Sequence, residues 1–358
     1  MKILMLVNWK VEYCSSPPED RQPPDYVVKG EKYWFFRYFN GKADVDVVDV
    51  RSFPALEKFE KNCQRFYVWQ ALKVLPRLNQ YDVVLSHGMQ SGIVLCLWRR
   101  LFGKGRYRHI VFDIGAFNSA REDGKALKLM QFASKTLDGV IYHTSSQIEY
   151  YRKCHPWLLD KAVFIPFGAD PDFFPEADEQ KEQTPDGEKP YILCIGYNKR
   201  DWNTLLKAFG RVKTDVQLRL LGKEDIVCRD ERVKAVGFVP VSELKKQIAG
   251  SLFGVLPLKA FNYSFGQMTL LQQMSMGKAV IAADVPSLRD YMKDGENALC
   301  YPPEDAGALA DRIRIFLEQP DRRAEIGRKA AEEIRQHLNE KKMAGEIETF
   351  INKILEKK

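Results

Sequence analysis

GVLPLKAFNYSFGQMTLLQQMSMGKAVIAADVPSLRDYMKDGENALCYPPED, residues 254–305, reads as strand, loop, helix, glycine stop and strand. Gly254–Leu258 is a short apolar run closed by Pro257 just before its end, and Asn262–Gly266 is a loop with little apolar content. Met268–Met276 is helix-forming, with Leu271 and Met274 three apart on one face. Gly277 stands where a helix C-terminus favours a left-handed residue, and Ala279–Val285 is β-rich and stops at Pro286. A helix that starts directly after a strand-end loop aims its first amides, near Gly266, Gln267 and Met268, at whatever sits there. Free N–H groups and the helix dipole favour phosphate at such a point. An ordinary βαβ unit with no ligand has the same local pattern, so this stretch decides fold class and leaves the ligand open.

Working outward, the same alternation fills the chain. Lys2–Val7 is a continuous apolar strand suited to the middle of a parallel sheet. A long proline-rich loop follows through Pro24, and a loop of that length at a strand's C-terminal end is usually functional. Lys32–Phe39 reads as an aromatic helical segment belonging to the core. Strands are expected at 45–50, 82–86, 109–114, 139–143 and 163–166, with helices at 66–78, 90–102 and 126–136 between them. Ligands on such doubly wound domains sit at the C-terminal strand ends. That rule puts Asn8, His87, Asp113 and Ser145 or Ser146 on one rim. Pro175–Pro190 is acidic, contains proline and is almost free of apolar residues, which marks a domain boundary. A second strand–helix series starts at Tyr191–Ile195, and the chain closes on three helices, 306–318, 321–337 and 342–356. The last carries Met343, Ile347, Phe350, Ile351 and Ile354 as one buried stripe.

Composition narrows the function classes. A length of 358 residues favours two domains, and 45% apolar with 29% charged residues is a soluble globular mix. The net charge of +7 fits a basic cleft for an anionic ligand or weak attraction to an anionic membrane. No basic run interleaved with aromatics singles out nucleic acid, so none is expected as a partner. The 7 cysteines are scattered with no C-x-x-C pair, as in a cytoplasmic protein with reduced thiols. His109, His143 and His155 have no metal-ligand spacing, and a lone His at position 87 reads as structural. No stretch approaches the roughly 18 apolar residues a membrane span needs, so any membrane contact is expected to be peripheral, on the inner face. A Walker loop and a G-x-G-x-x-G fingerprint are both missing, which argues against a P-loop enzyme and weakens a dehydrogenase reading.

Several segments, taken in order, resemble retaining nucleotide-sugar glycosyltransferases of family 4. Ile165-Pro166-Phe167-Gly168-Ala169-Asp170 through Phe173 is similar to the family's segment before the linker, and Cys194-Ile195-Gly196 with Lys199-Arg200 and 205–209 to the opening of its second lobe. Val236-Gly237-Phe238-Val239, then 264–280, 294–297 and 302–305 follow at about the family's spacing. The resemblance implies an α/β GT-B architecture, two Rossmann-like doubly wound domains facing across a cleft. Residues 1–174 form the acceptor-side domain, with 342–358 packing back on it; 175–190 are the linker and 191–341 the donor-binding domain. It also implies a nucleotide-sugar donor, a glycan, lipid-linked or small-molecule acceptor, and a metal-independent reaction with no cofactor.

Carried over residue by residue, the donor site would comprise Gly196, Asn198, Lys199, Arg200, Phe238, Val239, Ser264, Phe265, Gly266, Gln267, Met268 and Gln272. Arg200 stands at the phosphate-binding position, where a guanidinium can hold two phosphate oxygens. Asp113 stands where the family often has a first-lobe His, and so would orient an acceptor or sugar hydroxyl, or simply end a strand in a turn. Asn8–Tyr13 and the proline-rich loop would hold the acceptor. The family's two acidic positions are Ser264 and Gln272 here. Gln272 can still bond a ribose diol, whereas Ser264 is short and uncharged, and Gln267 is placed to take over part of its role. That departure keeps two alternatives open, a non-catalytic nucleotide-sugar-binding partner and a nucleotide-sugar epimerase.

Overall fold

The computed structural model describes residues 1–60, 62, 66–115, 117, 122–177, 189–196, 199–222, 224–260 and 264–357. The strands before residue 165 are β1 (Lys2–Leu6), β2 (Glu12–Cys14), β3 (Tyr26–Val28), β4 (Asp44–Val48), β5 (Val83–His87), β6 (Arg108–Asp113), β7 (Gly139–Tyr142) and β8 (Ala162–Phe164). Helices α1 (Pro54–Phe59), α2 (Val68–Val74), α3 (Met89–Phe102), α4 (Gly124–Ser134) and α5 (Gln147–Cys154) lie between them. Six strands form one parallel sheet in the order β4-β1-β5-β6-β7-β8, with Leu6 facing Val48 on one side and Ser86 on the other. Strands covered on both faces need continuous apolar runs, and the buried run Val83–Leu85 shows the pattern.

The second series comprises β9 (Tyr191–Ile195), β10 (Gln217–Leu221), β11 (Val233–Val236), β12 (Phe253–Leu256), β13 (Val280–Ala283) and β14 (Leu299–Tyr301). With them run α6 (Trp202–Phe209), α7 (Val241–Ala249), α8 (Gln267–Ser275), α9 (Ala306–Glu318), α10 (Pro320–Gln336) and α11 (Glu340–Glu356). This sheet is also parallel, in the order β11-β10-β9-β12-β13-β14. Its order reverses between β9 and β12, and that of the first sheet between β1 and β5. A crevice opens at each reversal, because neighbouring crossovers leave to opposite faces. The loops after β1, β5, β9 and β12 are therefore the ones placed to build a site.

Helix α11 does not stay with the second sheet. Its Met343, Ala344, Ile347, Ile351 and Ile354 are buried in the first-lobe core with Phe35, Phe36 and Phe112. Helices α3 to α5 cover the other face through Ile93, Leu127, Met130 and Tyr151. The chain thus crosses between the lobes twice, and the two crossings are stitched together. Ala169 donates to the Leu338 carbonyl at 2.9 Å, and Glu340 donates back to the Ala169 carbonyl at 2.7 Å. A Cβ on Gly168 would lie 2.4 Å from the Asn339 carbonyl carbon, so only glycine permits this approach.

Two expectations change. Residues 32–39 are not an α-helix; Trp34–Tyr38 is a 3₁₀ turn, entered by Trp34 at φ 44°, a left-handed backbone that bulky residues avoid. The polar loop after β1 contains the β2–β3 parallel pair, and between those two strands Asp20 and Gln22 bond Val241 and Gln272 of the second lobe. The expected linker falls largely on residues 178–188, which lie outside the described residues.

Candidate functional site

On the second lobe the site begins at α8. Gly266 is its N-cap at φ 88°, and no side chain caps the helix. A left-handed turn there swings the chain from the β12 loop into the helix, so the first turn opens to the cleft. Arg200 lies alongside. Its Nε donates to the Ile195 carbonyl at 2.8 Å, and one terminal nitrogen donates to Thr269 Oγ1, in the first turn of α8, at 3.1 Å. Phe265 lies 5.6 Å from the guanidinium and 5.0 Å from the Lys199 ammonium. Gly196, at φ 121°, leaves room for the guanidinium, since a Cβ there would come within 2.3 Å of it. Burial lowers the pKa of both Arg200 and Lys199. The structure therefore brings Gly196, Lys199, Arg200, Phe265, Gly266, Gln267 and Met268 together. Asn198 lies outside the described residues. Phe238 stands 81% exposed on the surface and Val239 packs near Phe174; neither lines the cleft below.

A cleft of about 390 Å³ separates that helix start from the first lobe. Its first-lobe wall is Trp9 after β1, His87 at the end of β5, Ile114 after β6 and His143 after β7, joined by Trp34 and Phe167. Pro24, Gln22 and Asp25 of the long loop close one side. The aromatic rings brace each other, Trp9 meeting His87 edge-on at 4.7 Å and Trp34 at 6.0 Å. Burial pushes His87 down to about 3, with neighbouring His143 adding to it, and burial lowers His143 to about 4. Both rings are neutral at physiological pH. His143 Nδ1 donates to the Ile165 carbonyl at 2.7 Å, which leaves Nε2 as the acceptor. His87 Nδ1 pairs with Asn8 Oδ1 at 3.3 Å. Asp25, facing this space, has its pKa raised by burial.

Asp113 needs correcting. It is fully buried and sits outside the cleft wall. Its carboxylate accepts from the Gly115 amide at 2.9 Å, Gln147 Nε2 at 2.9 Å and the Tyr151 hydroxyl at 2.5 Å. Strand pleating explains this: Phe112 faces the Phe35 side of the sheet, so Asp113 follows Val111 toward the helices. Asp113 anchors the strand-end loop to α5. Ser145 is an interlobe tie, its amide and hydroxyl both donating to Asp290, at 2.7 and 2.5 Å. His87, read as structural, lines the cleft. His143 lines it too, and its place just beyond β7, at a strand's C-terminal end, is the sequence signal for that.

The two positions that depart from the resemblance are both occupied by interlobe bonds. Ser264 Oγ lies 3.3 Å from Thr144 Oγ1 and accepts from Gln267 Nε2 at 3.1 Å. Gln267 also donates across the lobes to Thr144 at 3.1 Å and within its own lobe to the Ser287 carbonyl at 2.8 Å. Gln272 Nε2 donates to Gln22 Oε1 at 2.9 Å, while Gln22 Nε2 reaches Met268 Sδ at 3.7 Å. Among the described residues no cluster of His, Cys, Asp and Glu is arranged to hold a metal ion, and no helix is long and apolar enough to cross a membrane.

Comparison with known proteins agrees with this frame. Residues 189–319 match the family model described as glycosyl transferases group 1. Alpha-D-kanosaminyltransferase of Streptomyces kanamyceticus is 26% identical over 132 residues, 37% of this chain and 32% of that protein, so the match spans about a third of the relative. Sucrose-phosphate synthase of Thermosynechococcus elongatus superposes with a TM-score of 0.71 at 17% identity, covering 99% of both chains. HepE of Anabaena, in complex with UDP and glucose, superposes at 0.70 and 13% identity, over 98% of this chain and 99% of that one. At these identities the two structures establish the fold, which is GT-B. The resemblance to glycosyltransferases read from the sequence is matched over the second lobe.

Proposed function

We propose that this chain is a retaining glycosyltransferase that moves a sugar from a nucleotide diphosphate to a hydroxyl acceptor held against the first lobe. The observation that carries the reading is the uncapped start of α8, with buried Arg200 bonded to its first turn through Thr269. An anionic leaving group fits there, because fixed donors stabilise the charge that grows on a departing diphosphate without having to reorganise. The GT-B neighbour seen with UDP and glucose supports a nucleotide-sugar donor for this chain too.

The first-lobe wall supplies the other half. His87 and His143 are uncharged and can hold hydroxyls of the sugar or acceptor by hydrogen bonds. Trp9 and Trp34 line the same space, and aromatic rings suit the apolar side of a sugar. In this reading the acceptor oxygen bonds the anomeric carbon as that carbon's bond to the diphosphate breaks, and the leaving phosphate takes the acceptor's proton. A panel of nucleotide sugars, read by release of free nucleotide diphosphate and by the anomeric configuration of the product, tests this. Turnover of one donor with retained configuration supports the reading, and inversion defeats the retaining assignment.

A second reading, a non-catalytic nucleotide-sugar-binding partner, draws on the Gln272–Gln22 bond and the Ser264 contacts, which occupy both positions that are acidic in the resembled family. Tight binding of one donor without turnover of any would favour it.

A further inference from the structure

We propose that the outer face of α3 and α4 is a docking surface for an anionic lipid bilayer. The last turns of α3 place Trp98, Leu101 and Phe102 at i, i+3 and i+4, so they share one side of the helix. Leu101 is 73% exposed and Phe102 68%, with Trp98 and Phe132 of α4 also standing out of the surface. These are neighbours, not scattered residues. The Trp98 and Phe102 rings lie 4.2 Å apart, and the Arg100 guanidinium lies 5.0 Å over the Phe132 ring, joining the two helices. Large apolar side chains grouped in the open mark a contact surface.

The charge around them selects the occupant. Arg100, Lys104 and Arg106 border the end of α3, and Lys125, Lys128 and Lys135 line the same side of α4 as Phe132. Neither helix, nor the 103–107 connection, carries an acid. Asp138 is sealed beneath Arg99, to which it is bonded at 2.7 Å, and the exposed Asp123 stands at the N-cap of α4, the end away from Phe132. Glu122, before α4, is paired with Lys153. Arg108 donates to the Lys357 carbonyl, which brings that residue, just past the end of α11, alongside. Tryptophan, phenylalanine and leucine ringed by Lys and Arg is the composition that lies in a bilayer interface, the rings entering the acyl boundary and the cations meeting anionic headgroups. A second copy of the chain would set like charges against each other across a two-fold axis. Nucleic acid offers no apolar medium for Leu101. The face lies on the outer side of the helix layer, and the proposal does not depend on which donor the cleft takes.

Sedimentation of the full chain with vesicles tests this. One set contains phosphatidylcholine alone and the other phosphatidylcholine with phosphatidylglycerol. Binding is expected only to the second set, weakening as salt rises. Leu101→Ser with Phe102→Ser, and separately Lys104→Glu with Arg106→Glu, should each weaken it roughly tenfold or more, with thermal midpoints unchanged because all four side chains are exposed. No binding to phosphatidylglycerol vesicles overturns the proposal, as does equal binding by the variants. Dimerisation in gel filtration that the same substitutions abolish also overturns it, by assigning the face to a second copy.

Discussion

Replacing Arg200 by methionine keeps a stem of similar length beneath Gly196 and beside Phe265 while removing the charge. In the wild type the guanidinium donates, among the described residues, to Ile195 and Thr269 at 2.8 and 3.1 Å, bonds that hold it against the start of α8. A guanidinium so held offers a diphosphate up to two charge-assisted bonds, each contributing about 1.5 kcal/mol or more. Losing both is worth about 3 kcal/mol, a weakening of roughly 150-fold in Kd. The fold should lose far less. The two protein bonds contribute about 1 kcal/mol each, and ending the burial of a charge only 8% exposed offsets part of that. Isothermal titration with UDP, GDP and ADP, using whichever binds the wild type, measures the first quantity, and a thermal melt the second. A diphosphate affinity within about threefold of wild type, with the melt unchanged, would refute the assignment of Arg200 to phosphate.

Gly168→Ala should cost about 2 kcal/mol or more in urea unfolding, since its Cβ would meet the Asn339 carbonyl carbon at 2.4 Å. Gly345→Ala, with nothing within 4 Å, should instead stabilise by about 1 kcal/mol; equal effects would undo the close-approach argument. Gln22→Ala frees the Gln272 amide for a ribose and should tighten nucleotide binding by about threefold, whereas weaker binding would make Gln22 itself a nucleotide contact. The pH dependence has two opposing parts. Burial raises Glu340 from 4.5 to about 7 against the opposing pull of Arg37, so its contribution is full below pH 4.5 and is lost as pH rises to about 7. Burial lowers His87 and His109 to about 3 and His143 and His155 to about 4, so theirs is full above pH 6.5 and is lost as pH falls through that range. Burial raises Asp25 and Asp113 too, and they act with Glu340, but the four histidines still outnumber these three carboxyls, so acidification below pH 6.5 should destabilise, and Glu340→Gln should make the decline steeper. Urea midpoints that fall no faster in the variant would sink this account.

The strands were the legible part. Tyr191–Ile195 reads correctly to the residue, because a parallel strand covered on both faces must be apolar throughout. Where the site would lie also followed from topology, since strand ends at an order reversal face the cleft. Side-chain direction at those ends did not follow. Asp113 and His143 each close a strand, yet one turns into the helix layer and the other into the cleft, and only the pleat decides which. The strand pair Glu12–Cys14 and Tyr26–Val28 was hidden because its residues are half exposed and each strand is three residues long. The reach of Gln22 to Gln272 spans 250 positions, and no local pattern encodes it.

The double crossing at Ala169 and Asn339 has a consequence for inheritance. Because α11 packs with the first sheet, the first lobe is assembled from both ends of the chain, and the second is a cassette inserted between them. A recombination that exchanges everything after residue 170 would carry off α11 and strip the first lobe of Met343, Ile347 and Ile351. Exchange of roughly 170–338, cut on both sides of the stitched crossing, leaves that core whole. Chimeras built with two junctions should fold where single-junction chimeras do not, and the second lobe can then be traded without rebuilding the first-lobe wall of the cleft.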